Sequence, residues 1–199
     1  MSTMAMPLAS PALQVRRTGL WVFMGVVTML FLLFSIAFMM RMAADDWRVL
    51  PEPPWQLWAS TALLCASSLA WGAAARGSMA APVTRAADHA IPAAMSAAML
   101  LSLAFIGMQL WGWQAMAAMH YALAANPANS FFYMITGLHG LHVLGGLLVA
   151  CLVWRRRDGA AISLCARYWH FLLGVWLAMY GLLFLMTPER FDAICSSFK

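Results

Sequence analysis

The sequence predicts an all-α integral membrane bundle of five transmembrane helices, with the N-terminus in the cytoplasm and the C-terminus outside. Three observations predict it. Hydrophobic types make up 64% of the 199 residues and charged types 10%, where a soluble domain runs nearer ~45–50% and ~25%. Mean hydropathy is +0.77. The apolar residues fall into five long runs, and a helical span needs ~20 such residues. With 12 basic and 7 acidic side chains the chain has too few charges to keep a soluble surface in water. Intrinsic disorder, a disulfide scaffold and a free soluble enzyme are thereby excluded.

The first run, Gly19 to Met40, carries no charge and follows Arg16-Arg17. It is too long for a signal-peptide core of ~7–15 residues, so it reads as an uncleaved span. Arg41, Asp45, Asp46 and Arg48 close it, and Pro51, Pro53 and Pro54 forbid a continuing helix. The second span runs from about Trp55 to Ala75 and ends at Arg76. A loop with Gly77, Pro82, Arg85 and Asp88 leads to the third, which starts near Ile91 and ends between Trp113 and Met119. Asn126, Pro127 and Asn129 mark the next turn. The fourth span is Phe131 to Trp154, closed by Arg155-Arg156-Arg157-Asp158-Gly159. The fifth is Tyr168 to Met186, stopped by Thr187-Pro188. The chain thus divides into an N-terminal segment, 1–18, a five-helix domain, 19–187, and a C-terminal tail, 188–199. Strand alternation and internal repeats are absent from the sequence, which argues against a barrel or an inverted-repeat transporter.

Orientation follows from the basic residues. Arg16, Arg17, Arg76, Arg85, Arg155, Arg156, Arg157 and Arg167 lie on one side; Arg41, Arg48, Arg190 and Lys199 lie on the other. The richer side is cytoplasmic by the positive-inside rule. The net charge of +5 is spread over the ends of the runs and forms no phosphate-binding face, so no nucleic-acid partner is expected. Of the four cysteines (Cys65, Cys151, Cys165, Cys195) none forms a C-x-x-C pair, so neither zinc nor a redox dithiol is suggested. Cys65 and Cys151 lie in apolar runs and read as small hydrophobes.

No Asp or Glu lies inside the runs, which argues against an autonomous proton pump. The ionisable groups there are His139, His142 and His170. His139 and His142 fall about 60° apart on a helix, with Thr136 and Gly146 on the same arc. On the fifth span His170, Gly174, Ala178 and Gly181 share a face of about 80°. Small residues let helices approach closely in lipid, and imidazoles bond across such contacts. The alternative is haem or metal ligation. An i, i+3 pair cannot clamp a flat haem between opposite faces, so packing is the better reading, with Thr136 or Gln109 as possible partners for a histidine proton. No catalytic, cofactor-binding or metal-binding residue is assigned. Ser60, Thr61, Ser67 and Ser68 are expected to bond back to their own helix. The seventeen methionines show no repeating M-x-x-M pattern, so they read as packing.

Thr136-Gly137-Leu138-His139-Gly140-Leu141-His142-Val143, preceded by Phe132-Tyr133, closely resembles the TG-x-HG-x-HV helix of cytochrome c oxidase subunit III. Tyr168-Trp169-His170-Phe171 with Trp176-Leu177 resembles that family's YWHF…VWL helix. Leu57 to Thr61 with Ser67-Ser68, and Gly19 to Phe23, are similar to two further spans, in the family's order. The resemblance covers about 19–187 and looks like the short, five-span bacterial form.

The resemblance implies a non-catalytic subunit III of a haem-copper terminal oxidase in the aerobic respiratory chain of a bacterial inner membrane. Such a subunit packs on subunit I of a complex that also holds subunit II, retains phospholipid between its helices and supports proton uptake. Haem and copper are then expected in the partner subunits and none in this chain. The donor, cytochrome c or quinol, is left open. Two family acidic positions are absent: Val27 stands in the first span and Leu173 after the YWHF string. That departure keeps a second reading, an accessory or assembly protein of a nitric oxide reductase. A third, a b-type cytochrome using His142 and His170, is the poorest of the three.

Overall fold

Five helices follow the five apolar runs: α1 (Pro11–Arg41), α2 (Trp55–Ala80), α3 (Arg85–Ala118), α4 (Pro127–Arg156) and α5 (Gly159–Leu185). The computed structural model describes residues 11–42, 44, 47–48, 50, 52–80, 85–119, 121, 126–186 and 190, of which 80 and 85–88 are described by their backbone alone. All five helices are long and apolar enough to cross a membrane. No strand occurs among the described residues. A helix satisfies its own backbone in lipid, so this architecture follows from the composition. Residues 1–10 of the N-terminal segment, Asp45, Asp46, Pro51, Pro82, Thr187, Pro188, Cys195 and most of the 188–199 tail lie outside the described residues.

The helices overrun the apolar runs that announce them. α1 begins at Pro11, so Arg16 and Arg17 sit on its first turns. α2 continues to Ala80, and Gly77 lies within it. Pro92 lies inside α3 without ending it. α5 starts at Gly159, nine residues before Tyr168. The reason is capping. The Asp158 carboxylate accepts the Ala160 N–H at 3.1 Å and sets the helix start there. Arg167 is carried along the helix with its side chain exposed. Asn126 caps α4 in the same way, accepting from the Ala128 N–H at 3.2 Å with Pro127 following. The Asn126 amide also donates to the Arg48 carbonyl at 2.6 Å, which fastens the α1–α2 connection to the start of α4. The turn between α4 and α5 is tight: Arg157 is left-handed (φ 51°) and its N–H closes on the Val153 carbonyl at 2.8 Å. A non-glycine residue there costs some backbone strain.

α5 is the central helix, packed against α1, α2 and α4; α2 pairs with α3, and α4 touches α1 and α3. The buried side chains form two stacked layers. One, toward the arginine-rich end, holds Trp71, Met95, Phe105, Val143, Ala150, Trp169 and Trp176. The other, toward the opposite end, holds Phe31, Phe38, Leu57, Met116, Phe132, Ile135 and Leu183. The outer face of α1 (Trp21, Val22, Val26, Met29, Leu33) is exposed, as a lipid-facing helix requires.

Lipid tails supply little hydrophobic drive for helices to associate, so close backbone approach matters. Gly146 is where α4 meets α5. A Cβ there would lie 2.7 Å from Tyr168 Cε1 and 3.2 Å from Trp169 Cη2. Gly174, by contrast, has nothing within 4 Å of that point. Gly146→Ala is therefore expected to destabilise the folded chain in detergent by ~1–3 kcal/mol, the usual cost of overpacking. Gly174→Ala should leave the unfolding midpoint unchanged or slightly raised; equal effects of the two would contradict the packing described.

Candidate functional site

The α4 stripe divides into groups that face different neighbours. Thr136 is buried; its hydroxyl donates to the Phe132 carbonyl at 2.6 Å and accepts the Trp113 indole N–H of α3 at 3.1 Å. His139 is fully buried in an aromatic cage of Phe31, Phe105 and Trp176, with ring centroids 6.4, 5.8 and 5.3 Å away. Among the described residues neither of its ring nitrogens has a hydrogen-bond partner, and neither does the buried Gln109 amide. Thr136 and Gln109 thus do not bond a histidine. His142 donates from Nδ1 to the Leu138 carbonyl of its own helix at 2.8 Å and lies against Phe23 and Phe31 of α1. Val27, at one absent acidic position, is buried in the same layer as Phe31. Leu173, at the other, packs half-buried against the core.

On α5, His170 turns the other way. Its Nδ1 bonds the Ser68 hydroxyl of α2, and its ring is exposed. Gly174 and Ala178 are exposed as well, and Gly181 meets only Leu185 of its own helix at 3.9 Å. Among the described residues, no other helix comes within 4 Å of a Cβ position at Gly174 or Gly181, whereas Gly146 of α4 meets α5 closely. His142 and His170 face different gaps in the bundle, each with Nδ1 engaged, so they do not converge on one metal. Among the described residues no three of His, Cys, Asp and Glu come together. Cys65, Cys151 and Cys165 are free thiols.

The hydroxyls of α2 behave in two ways. Ser60 and Thr61 donate to the Leu57 carbonyl at 2.8 and 2.9 Å, back along their own helix. Ser67 and Ser68 cross to other helices, against expectation. Ser67 donates to the Ala98 carbonyl of α3 and lies 2.8 Å from the Ser102 hydroxyl. Ser102 accepts the Trp169 indole N–H at 2.8 Å, and Thr61 accepts that of Trp176 at 2.9 Å. A buried indole N–H seeks such an acceptor.

Between α1, α4 and α5 lies a lateral cavity of about 680 Å³. Its walls are apolar, from Leu20 and Phe23 of α1, Leu141, Val149 and Leu152 of α4, and Leu164, Cys165 and Trp169 of α5. His142, Gly145, Gly146 and Tyr168 line its depth, and Tyr168 donates to the His142 carbonyl at 3.0 Å. Arg16, Arg156 and Asp158 stand among the lining at the charged end of the helices. Arg16 pairs with Asp158 at 3.4 Å, and with both side chains about half exposed the pair adds little stability. This combination of a greasy slot and arginines at one end fits an acyl chain with an anionic headgroup.

Residues 54–187 match the family model for cytochrome c oxidase subunit III. The chain belongs to that family. A cytochrome c oxidase subunit 3 of Thermostichus vulcanus is 34% identical over 92 residues, 42% of this chain and 44% of that protein. A cytochrome bo(3) ubiquinol oxidase subunit 3 of Pseudomonas aeruginosa is 31% identical over 134 residues, 63% and 62% of the two. A probable cytochrome c oxidase subunit 3 of Mycobacterium tuberculosis is 27% identical over 95 residues, 44% and 47%. The matches thus cover between 44% and 62% of the length of these three relatives. The family match begins just before α2 and includes every residue of the serine–indole–imidazole links; α1, with one wall of the cavity, lies outside it.

Thr61→Val should leave the Trp176 N–H buried without an acceptor and lower the stability of this subunit III family member by ~1–3 kcal/mol. Thr61→Ser, which keeps the acceptor, should lose much less. Equilibrium unfolding of the three chains in detergent checks the difference.

Proposed function

We propose that this chain is the non-catalytic subunit III of a haem-copper terminal oxidase, a multi-pass protein of a bacterial inner membrane. Family membership over α2 to α5 is the observation that carries the reading. The relatives serve oxidases named for cytochrome c and for ubiquinol, so either donor fits, and that choice belongs to other subunits. Subunit I, with subunit II, is the partner, and the haems and copper reside there. The arginine-rich end lies in the cytoplasm, which puts the N-terminus inside. The cavity beside α1 holds phospholipid: apolar walls bury an acyl chain, and Arg156 with Arg16 offers charge-assisted hydrogen bonds to a headgroup phosphate. Lipid held there stiffens the flank of the catalytic subunit and supports proton uptake during oxygen reduction. The side chains of this subunit act by packing, orienting and excluding water.

Purification through a tag on this chain from its native membrane is expected to bring down a haem-bearing oxidase subunit in equal amount, with phospholipid retained. The chain expressed alone should show no Soret band. Recovery with a nitric oxide reductase would move the assignment to that complex. A Soret band in the isolated chain that disappears in His170→Ala would make it a b-type cytochrome instead.

A further inference from the structure

Two polar side chains deep in the bundle are buried without a bond to the rest of the chain. His139 of α4 is 0% exposed and Gln109 of α3 is 5% exposed. Among the described residues both ring nitrogens of His139 and both polar atoms of the Gln109 amide are unpaired. Burial of such groups without a partner costs several kcal/mol, and native structures leave few of them unsatisfied. The two belong to one strip of contact between α3 and α4. Phe105, one turn before Gln109, lies against the His139 ring with centroids 5.8 Å apart. Trp113, one turn after Gln109, donates to Thr136, about one turn before His139. These contacts make the two helices antiparallel, with Gln109 on the side of α3 that meets this part of α4. Helical side chains lean toward the N-terminus of their own helix. Gln109 therefore leans toward the level of Phe105 and His139 toward the level of Thr136, which brings their polar tips near one depth without a direct bond between them.

We infer that Gln109 and His139 bind water between them, forming a buried polar tie from α3 to α4. The chemistry of the pair selects the ligand. A neutral imidazole donates from one nitrogen and accepts at the other, and a carboxamide donates from its nitrogen and accepts at its oxygen. Their shared partner must both give and receive hydrogens. A metal cation takes only lone pairs, and an anion takes only hydrogens. No carboxylate lies in the apolar runs to balance a cation, and among the described residues no three metal-ligating groups come together. Water both gives and receives, and makes ~3 hydrogen bonds when buried. Phe31, Phe105 and Trp176 wall the imidazole, so the site takes discrete water and is shut from bulk solvent. It is separate from the lateral cavity, whose wall carries His142. The tie adds to the direct α3–α4 bonds, Trp113 to the Thr136 hydroxyl and Tyr133 to the Trp113 carbonyl. It is independent of which oxidase the chain serves.

The test uses the full chain, with 15N-labelled histidine and glutamine, in phosphatidylcholine bilayers, and reads proton-detected solid-state NMR. The His139 ring is assigned by the loss of its resonances in His139→Phe, and the Gln109 amide by their loss in Gln109→Met. Cross-peaks from water protons to a His139 ring nitrogen and to the Gln109 amide are expected. Gln109→Met keeps the length of the side chain and removes its polar atoms. The His139–water cross-peak should vanish in it, because water left on the imidazole alone lacks the two to four polar partners it needs. The wild-type spectrum decides by itself where that variant fails to fold: a His139 ring without water contact would overturn the inference. A direct proton contact between imidazole and amide in place of water would overturn it too, as would a water cross-peak unaltered in Gln109→Met.

Discussion

Hydrogen bonds from successive residues of α5 to its neighbours are the constraint on which the bundle depends. Tyr168 donates to the His142 carbonyl of α4, Trp169 to the Ser102 hydroxyl of α3, and His170 joins the Ser68 hydroxyl of α2. Two turns on, Trp176 donates to Thr61 of α2. Successive side chains on a helix point ~100° apart, so three adjacent residues reach three different helices. A soluble bundle would be held by burial of its apolar face. In lipid that drive is weak, and a polar group without a partner costs several kcal/mol. The aromatic residues of α5 meet both demands: their rings fill the core and their polar tips tie the helices.

That clasp also shapes what the protein offers its surroundings. α4 meets α5 at Gly146, and α1, α4 and α5 together line the cavity of about 680 Å³. Tyr168 belongs to both features, lining the cavity and bonding α4. The imidazoles follow the same logic. His139 is caged by rings, His142 is tied to its own helix and His170 is tied to α2. Of the three, only His170 links two helices through a hydrogen bond among the described residues.

The existence of five spans was legible because apolar runs of this length have one solution in a bilayer. Their ends were less so. An arginine such as Arg167 reads as the edge of a span, yet a helix carries it on an exposed face, and the cap at Asp158 set the true start of α5. The stripe of Thr136, His139, His142 and Gly146 was visible in the 3.6-residue period, and Gly146 does make the tight contact. The matching stripe on α5 was visible too, but Gly174 and Ala178 are exposed and Gly181 is half-buried, because periodicity identifies a face without saying what covers it. The crossings of Ser67 and Ser68 were not legible. Whether a hydroxyl bonds its own helix or the next depends on the distance between axes, which a single sequence does not contain.

The central claim is that the α5 clasp holds the bundle. A double-mutant cycle between Trp169→Phe and Ser102→Ala, read by equilibrium unfolding of the full chain in bicelles, tests it most directly. The account predicts a favourable coupling of ~0.6–1.7 kcal/mol, the range of interhelical hydrogen bonds measured in lipid-like media. Strictly additive losses, with no coupling between the indole and the hydroxyl, would contradict it.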